Sequence, residues 1–168
     1  MLPLRVRAAT PDYGPLPALV IDTREQAPLS FGPWGVEVVT AGLPTGDYSL
    51  VGLEDRIALE RKSLPDLYGC VGHGRERFER ELARLAEYDY GAILVEAALT
   101  DVLAYQLRTK VSPRAVVGSL MAWSVDYGLP VWFCDNHRLA AAVALKLLRK
   151  FYKHAVAEPA GMAGRSKL

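Results

Sequence analysis

Ile57-Ala58-Leu59 runs without a break into Glu60-Arg61-Lys62, an apolar stretch that ends in three consecutive charges. Arg56 to Glu60 reads as a strand, and Tyr48 to Val51 as its hairpin partner across the connection Gly52 to Asp55. A strand within a sheet does not carry such charges without a use, because a buried charge is costly unless it is partnered. An edge strand charged against aggregation is the alternative. The apolar run leading straight into the triplet argues against it. Side chains alternate along an extended chain, so Glu60 and Lys62 share one face and Arg61 takes the other. The fold must therefore place a polar site at the end of an otherwise apolar strand.

Other elements follow from periodicity. Ala18 to Asp22 and Val36 to Thr40 read as strands, separated by the proline- and glycine-containing loop Gln26 to Gly35. Phe78, Leu82 and Leu85 share a face of a helix between Arg75 and Glu87. Ala92 to Glu96 is a fifth strand, apolar enough to be buried on both faces. Thr100-Asp101 caps a short helix through Leu107, and Ser112-Pro113 opens a helix that Gly128 stops after Tyr127. Val131 to Phe133 is a sixth strand, and Asn136 to His154 a final helix with Leu139, Val143, Leu147 and Phe151 along its stripe. Early strands followed by alternating helix and strand predict an α/β sandwich, with helices flanking a mixed central sheet. The expected organisation is a flexible lead-in over 1–16, one domain over 17–156 and a flexible tail over 157–168.

The whole-chain charge does not explain any grip on a polyanion. The formal net charge of the 168 residues is +1, so such a grip has to come from a local patch. Cys70 and Cys134 lie far apart without zinc spacing, which predicts two buried thiols in a reducing compartment, and the expected setting is intracellular, cytoplasm or nucleoid for a bacterial or phage protein. No run is long enough for a transmembrane helix, so no membrane partner is expected. The closing Ser166-Lys167-Leu168 matches a peroxisomal address, a three-residue match treated as coincidence.

Asp22 ends the first strand, Asp47 opens the third after Gly46, and Glu60 and Lys62 end the fourth. Mg²⁺ or Mn²⁺ takes hard oxygen ligands and keeps several waters. Asp47 and Glu60 supply two such ligands, the Arg61 carbonyl a third and Asp22 a further one, directly or through water. Lys62 then stabilises charge developing on a phosphodiester. Asp66 sits near the start of a short helix and complements its N-terminus. Taken singly, Asp22 or Asp47 is more often a structural strand-end residue.

Val20-Ile21-Asp22-Thr23-Arg24-Glu25, Gly46-Asp47-Tyr48, Glu60-Arg61-Lys62 through Asp66, and Gly74-Arg75 occur in this order. Together these blocks resemble the nuclease domain of the XPF family, most clearly over 19–96. The resemblance implies a restriction-endonuclease-like three-layer sandwich that cuts DNA at flaps, forks and bubbles with Mg²⁺ or Mn²⁺, in repair or recombination. It implies that Asp22, Asp47 and Glu60 bind the metal and that Lys62 is the catalytic lysine. Arg24, Glu25, Arg61 and Asp66 match the family's other active-site positions, and Arg75 the basic residue that faces DNA. Glu79 stands where the family often has Gln. The sequence ends soon after the resembling stretch, so the expectation is a nuclease domain lacking the family's helix-hairpin-helix domain. It would act as a homodimer or with a partner that grips DNA. A non-catalytic partner built on the same fold is the competing reading, and the retained acids and lysine argue against it.

Basic residues gather twice. Arg77, Arg80 and Arg84 alternate with glutamates, the pattern of a salt-bridged exposed helix. Arg138, Lys146, Arg149, Lys150, Lys153 and His154, with Arg165 and Lys167, lack compensating acids until Glu158, and Arg149, Lys150 and Lys153 are the expected phosphate contacts. Tyr68 to His73 is expected as a mobile loop over the site. Trp123, Tyr127, Trp132, Phe133 and Phe151 are expected in the core. Ala115, Val116 and Leu120 are open to either a core or a dimer face.

Overall fold

The computed structural model describes residues 15–105 and 110–157. Most of the lead-in, the end of the helix expected through Leu107, Glu158, Arg165, Lys167 and the terminal Ser166-Lys167-Leu168 lie outside the described residues.

Six strands form one mixed sheet: β1 (Leu19–Asp22), β2 (Val38–Ala41), β3 (Tyr48–Leu50), β4 (Ile57–Lys62), β5 (Tyr90–Val95) and β6 (Val131–Phe133), in the spatial order β2-β1-β3-β4-β5-β6. The hairpin makes β3 antiparallel to both β1 and β4, whereas β1–β2, β4–β5 and β5–β6 are parallel. Helices α1 (Leu64–Val71), α2 (Arg75–Leu85), α3 (Leu99–Ala104), α4 (Pro113–Tyr127) and α5 (His137–Ala157) complete the three layers. Alternation along β4 divides the core. Ala58 packs with Ile93, Phe78, Leu82 and Trp123 on the α1–α2–α4 side, while Ile57 and Leu59 pack with Leu94, Leu145 and Leu148 on the α5 side. The expected sandwich with a mixed sheet is the one observed.

Local expectations fail where tertiary context overrides pattern. The segment expected as a mobile loop is largely α1, which buries Leu67, Tyr68, Cys70 and Val71. Its first turn is capped by Ser63, whose Oγ accepts from the Asp66 amide at 3.3 Å, and burial compensates the helix-weakening Gly69. Strand β4 extends to Lys62 because its parallel register with β5 continues through Lys62↔Val95. Trp123 is buried as expected, but Trp132 and Phe133 are 43% and 38% exposed, since β6 is an edge strand. The inner stripe of α5 is Ala140, Ala141, Ala144, Leu145 and Leu148, and Leu139 faces outward. Small alanines let the helix approach the sheet closely, which a pattern of large apolar residues misses. Val116 and Leu120 belong to the core.

Two features position the site. Gly46 has φ +75°, and a Cβ there would lie 2.8 Å from the Ala58 Cβ, so the turn before Asp47 admits only glycine against β4. Helix α5 starts beside Glu96, where His137 Nδ1 lies 3.0 Å from Oε1, at the C-terminal end of β5. It then runs back along the sheet, bringing Phe151 to Tyr90 at the N-terminal end of β5.

Candidate active site

Asp47 is fixed between strands by its main chain. Its amide donates to the Leu59 carbonyl and its carbonyl accepts from the Asp22 amide, each at 2.8 Å. The Arg61 amide donates to Asp47 Oδ2 at 2.7 Å. Glu60 is 6% exposed, and its Oε1 accepts from Lys62 Nζ at 2.5 Å. Asp47, Glu60 and Lys62 thus meet on the α1–α2 side at the end of β4, as their spacing predicts.

This group is short of positive charge. Burial, then the Glu60 carboxylate, pushes the Asp47 carboxyl up to about 8. Burial also raises Glu60, more than the neighbouring Lys62 lowers it. Burial opposes the charge of Lys62, but Glu60, Cys70 and Asp47 outweigh it and hold the ammonium above its ordinary value. A dication beside Asp47 and Glu60 would supply the missing charge.

Arg61 emerges on the opposite side of the sheet. Its Nε donates to Glu96 Oε2 at 2.5 Å, and its Nη1 lies 3.4 Å from Glu25 Oε1. Glu25 also accepts from the Ala27 amide at 2.9 Å and the Tyr48 hydroxyl at 3.3 Å. Glu96 and His137 were not singled out from sequence. A usable signal existed for Glu96, which closes an apolar strand just as Glu60 does. His137 carried none, because its approach depends on where α5 begins.

The remaining sequence candidates are placed differently. The Asp22 carboxylate accepts from the Arg24 amide, Nε and Nη2 at 2.8, 2.7 and 3.1 Å, and from the Leu43 amide at 2.6 Å. Burial opposes its ionisation, yet the Arg24 and Leu43 donors hold it below the ordinary carboxylate value. With these donors around both oxygens, Asp22 braces Arg24 and the 43 loop in this arrangement instead of standing open as an inner-sphere ligand. Arg24 itself is 69% exposed. Asp66 is exposed and bonded to Ser63 at the head of α1, its Oδ2 accepting from the hydroxyl at 2.5 Å. Arg75 is drawn onto α4, donating to Ser119 Oγ at 2.9 Å and pairing with Glu79 at 2.9 Å. Arg149, Lys150 and Lys153 flank Phe151, on the other face of the sheet and at the other end of the strands from Glu60. Helix α5 carries them there because it runs opposite to β5, a direction set by topology and not by local sequence.

Among the described residues, no group of three or more His, Cys, Asp and Glu side chains stands in a metal-holding arrangement. The buried Glu60 and partly buried Asp47 carboxylates still fit a Mg²⁺ or Mn²⁺ ion, which commonly uses one or two protein carboxylates and completes its shell with water and substrate phosphate. No described helix is long and apolar enough to cross a membrane.

The model of the ERCC4 domain family matches residues 21–147. The 3′-flap repair endonuclease Xpf of Saccharolobus solfataricus is 30% identical over 134 residues, which make up 77% of this chain and 54% of the relative. The chain thus spans about half the length of that curated relative. XPF from Aeropyrum pernix superposes with a TM-score of 0.65 at 29% identity, over 81% of this chain and 65% of that one. The same protein solved in complex with DNA gives a TM-score of 0.65 at 29% identity, over 82% and 66% of the two chains.

Proposed function

The chain belongs to the ERCC4-domain family of XPF-type nucleases, and from that premise we propose that it is a divalent-metal-dependent endonuclease for branched or partly single-stranded DNA. The observation that carries this reading is the carboxylate pair Asp47–Glu60, short of positive charge and flanked by Lys62. The similarity to an XPF solved with DNA supports the substrate class. Action as a homodimer, or with a partner that supplies further DNA contacts, is part of the same proposal.

Asp47 and Glu60 would hold Mg²⁺ or Mn²⁺. Such an ion, when bound, lowers the pKa of a coordinated water and neutralises phosphate charge. The chain's own contribution is positional. The Arg61 amide holds one Asp47 oxygen, Gly46 sets that carboxylate against β4, and Asp22 fixes Arg24 at the rim. Against burial, Glu60 and Asp47 hold the Lys62 ammonium above its ordinary value in the metal-free site, and as a cation it is a donor to a phosphate oxygen or the attacking water. Arg24, exposed and preoriented, meets the DNA backbone.

The test compares cleavage of flap, fork, plain duplex and single strand by wild type and Asp47→Ala, with and without Mn²⁺. Metal-dependent cutting of flap or fork that Asp47→Ala loses supports the proposal. Metal-independent cutting, or equal cutting by the variant, sinks it. DNA binding without cleavage would favour the non-catalytic partner.

A further inference from the structure

Phe78 belongs to none of the motif blocks, yet its ring lies against the site. The Lys62 ammonium sits 4.6 Å from the ring centroid, with the Glu60 carboxylate 2.5 Å away from Nζ. A lysine on its four-carbon stem has many rotamers, and fixing its charge requires contacts on more than one side. Here a carboxylate and a π face provide them. The ring cannot retreat. Phe78 is 1% exposed and meets Trp123 edge to face, with centroids 5.1 Å apart and planes at 76°.

Trp123 is itself held from two directions. Its Nε1 donates to Glu79 Oε1 at 3.0 Å, and the Arg75 guanidinium lies 5.3 Å from its ring centroid. Glu79 Oε1 also pairs with Arg75 Nε at 2.9 Å, and Arg75 Nη1 donates to Ser119 Oγ at 2.9 Å. A carboxylate suits position 79 because one oxygen takes an indole N–H and a guanidinium together, with charge assistance. The four side chains clamp α2 to α4 behind the Phe78 ring.

We propose that Phe78, backed by the Trp123–Glu79–Arg75 clamp, is a positioning residue that aims the Lys62 ammonium at the scissile phosphate. This inference rests on the proposed nuclease reading for its consequence, and on the structure alone for its geometry. The weight of a cation–π contact at a partly desolvated site corresponds to about two- to thirtyfold in rate.

The experiment replaces Phe78 with pentafluorophenylalanine, which keeps the ring's shape and reverses its face charge, and with Leu, which removes the ring. Steady-state cleavage of a flap substrate with Mn²⁺ is measured alongside the NMR shifts of the Lys62 ε protons and the melting temperature. The expected result is an upfield ring-current shift of the ε protons in wild type that Phe78→Leu abolishes. Turnover should fall about two- to thirtyfold in the pentafluoro protein, with KM within about twofold and a cooperative melting transition that reports a folded protein. Wild-type ε protons without a ring-current shift would overturn the placement. Unchanged turnover in the folded pentafluoro protein would overturn the role. A protein that shows the shift but cuts no DNA refutes the nuclease reading and leaves the placement of Lys62 standing.

Discussion

Two buried ionic groups share strand β4, one on each side of the sheet, and they are built in opposite ways. On the α5 side, the Arg61 guanidinium lies between Glu25 and Glu96; Glu25 takes further donors from Ala27 and Tyr48, and Glu96 meets His137 Nδ1. On the α2 side, Asp47 and Glu60 face one lysine and are both pushed toward their neutral forms. The first group is completed by the chain itself. The second holds excess negative charge that folding alone would disfavour, the kind of local conflict expected where structure gives way to function. Placing the two on alternating residues lets one strand carry both.

Substituting one residue on each side of the sheet tests this asymmetry. Lys62→Met and Asp47→Asn should each lower Mn²⁺-dependent flap cleavage by about 10³-fold or more, a loss of about 4 kcal/mol of transition-state stabilisation. Asp47→Asn should melt at or above the wild-type temperature without metal, because it removes a buried like-charge conflict. Single-turnover rates and calorimetry together check both halves. Cleavage within tenfold of wild type for either variant would erase the distinction.

Arg61→Met tests the other side. It leaves Glu25 and Glu96 buried without their shared cation, and breaking such a pair costs about 3–5 kcal/mol. Denaturant unfolding should register that loss, and Glu96→Gln with Glu25→Gln in the Arg61→Met background should recover part of it. No recovery would mean the arginine acts by packing alone.

A pH titration of the metal-free protein probes the acid group. In the unfolded chain the Asp47 carboxyl loses its proton near its ordinary value of 3.8, and in the folded chain only at about 8. The folded state therefore binds this proton more tightly. Its contribution to stability is complete below about pH 4 and is lost as pH rises toward 8, on the order of a few kcal/mol. Melting temperature of the wild type should fall over that window, and the fall should be largely absent in Asp47→Asn. Saturating Mn²⁺ should restore stability at pH 8 by binding the folded state.

The legibility of these features follows their range along the chain. Glu60 and Lys62 on one face with Arg61 on the other follows from the two-residue period of a strand, and the structure has it so. That Asp47 joins them follows from a short hairpin. The partners of Arg61 were only half visible: Glu25 lies in a motif block, but Glu96 reaches it through the parallel β4–β5 register, which no local pattern specifies. The start of α1 is legible at Asp66, but its second half is not, because Gly69 and Gly72 argue for a loop and only burial against β4 and α4 reverses that preference. Trp132 and Phe133 look like core residues until β6 is known to be an edge strand.

The smallest expected effect concerns the basic residues of α5, whose clustering was legible and whose location was not. Arg149 and Lys150 are exposed beside Phe151, near Tyr90 and Arg56 at the N-terminal ends of β5 and β4. Glu60 lies at the C-terminal end of β4, facing the opposite helical layer. A strand rises about 3.3 Å per residue, so the length of the strand separates the two places, beyond the screening distance of about 8 Å at physiological salt. A duplex bound at Asp47 and Glu60 would have to pass around the sheet edge to touch both. Arg149→Ala with Lys150→Ala should therefore change flap affinity by less than about threefold and leave the salt dependence of binding nearly unchanged, whereas Arg24→Ala, at the rim of the acid group, should weaken it more and lower the salt slope by about one. Fluorescence anisotropy over a salt series, with Ca²⁺ in place of Mn²⁺, distinguishes these outcomes. A large loss from the double α5 variant would mean that DNA reaches the far end of the sheet, and that the helix contributes to binding after all.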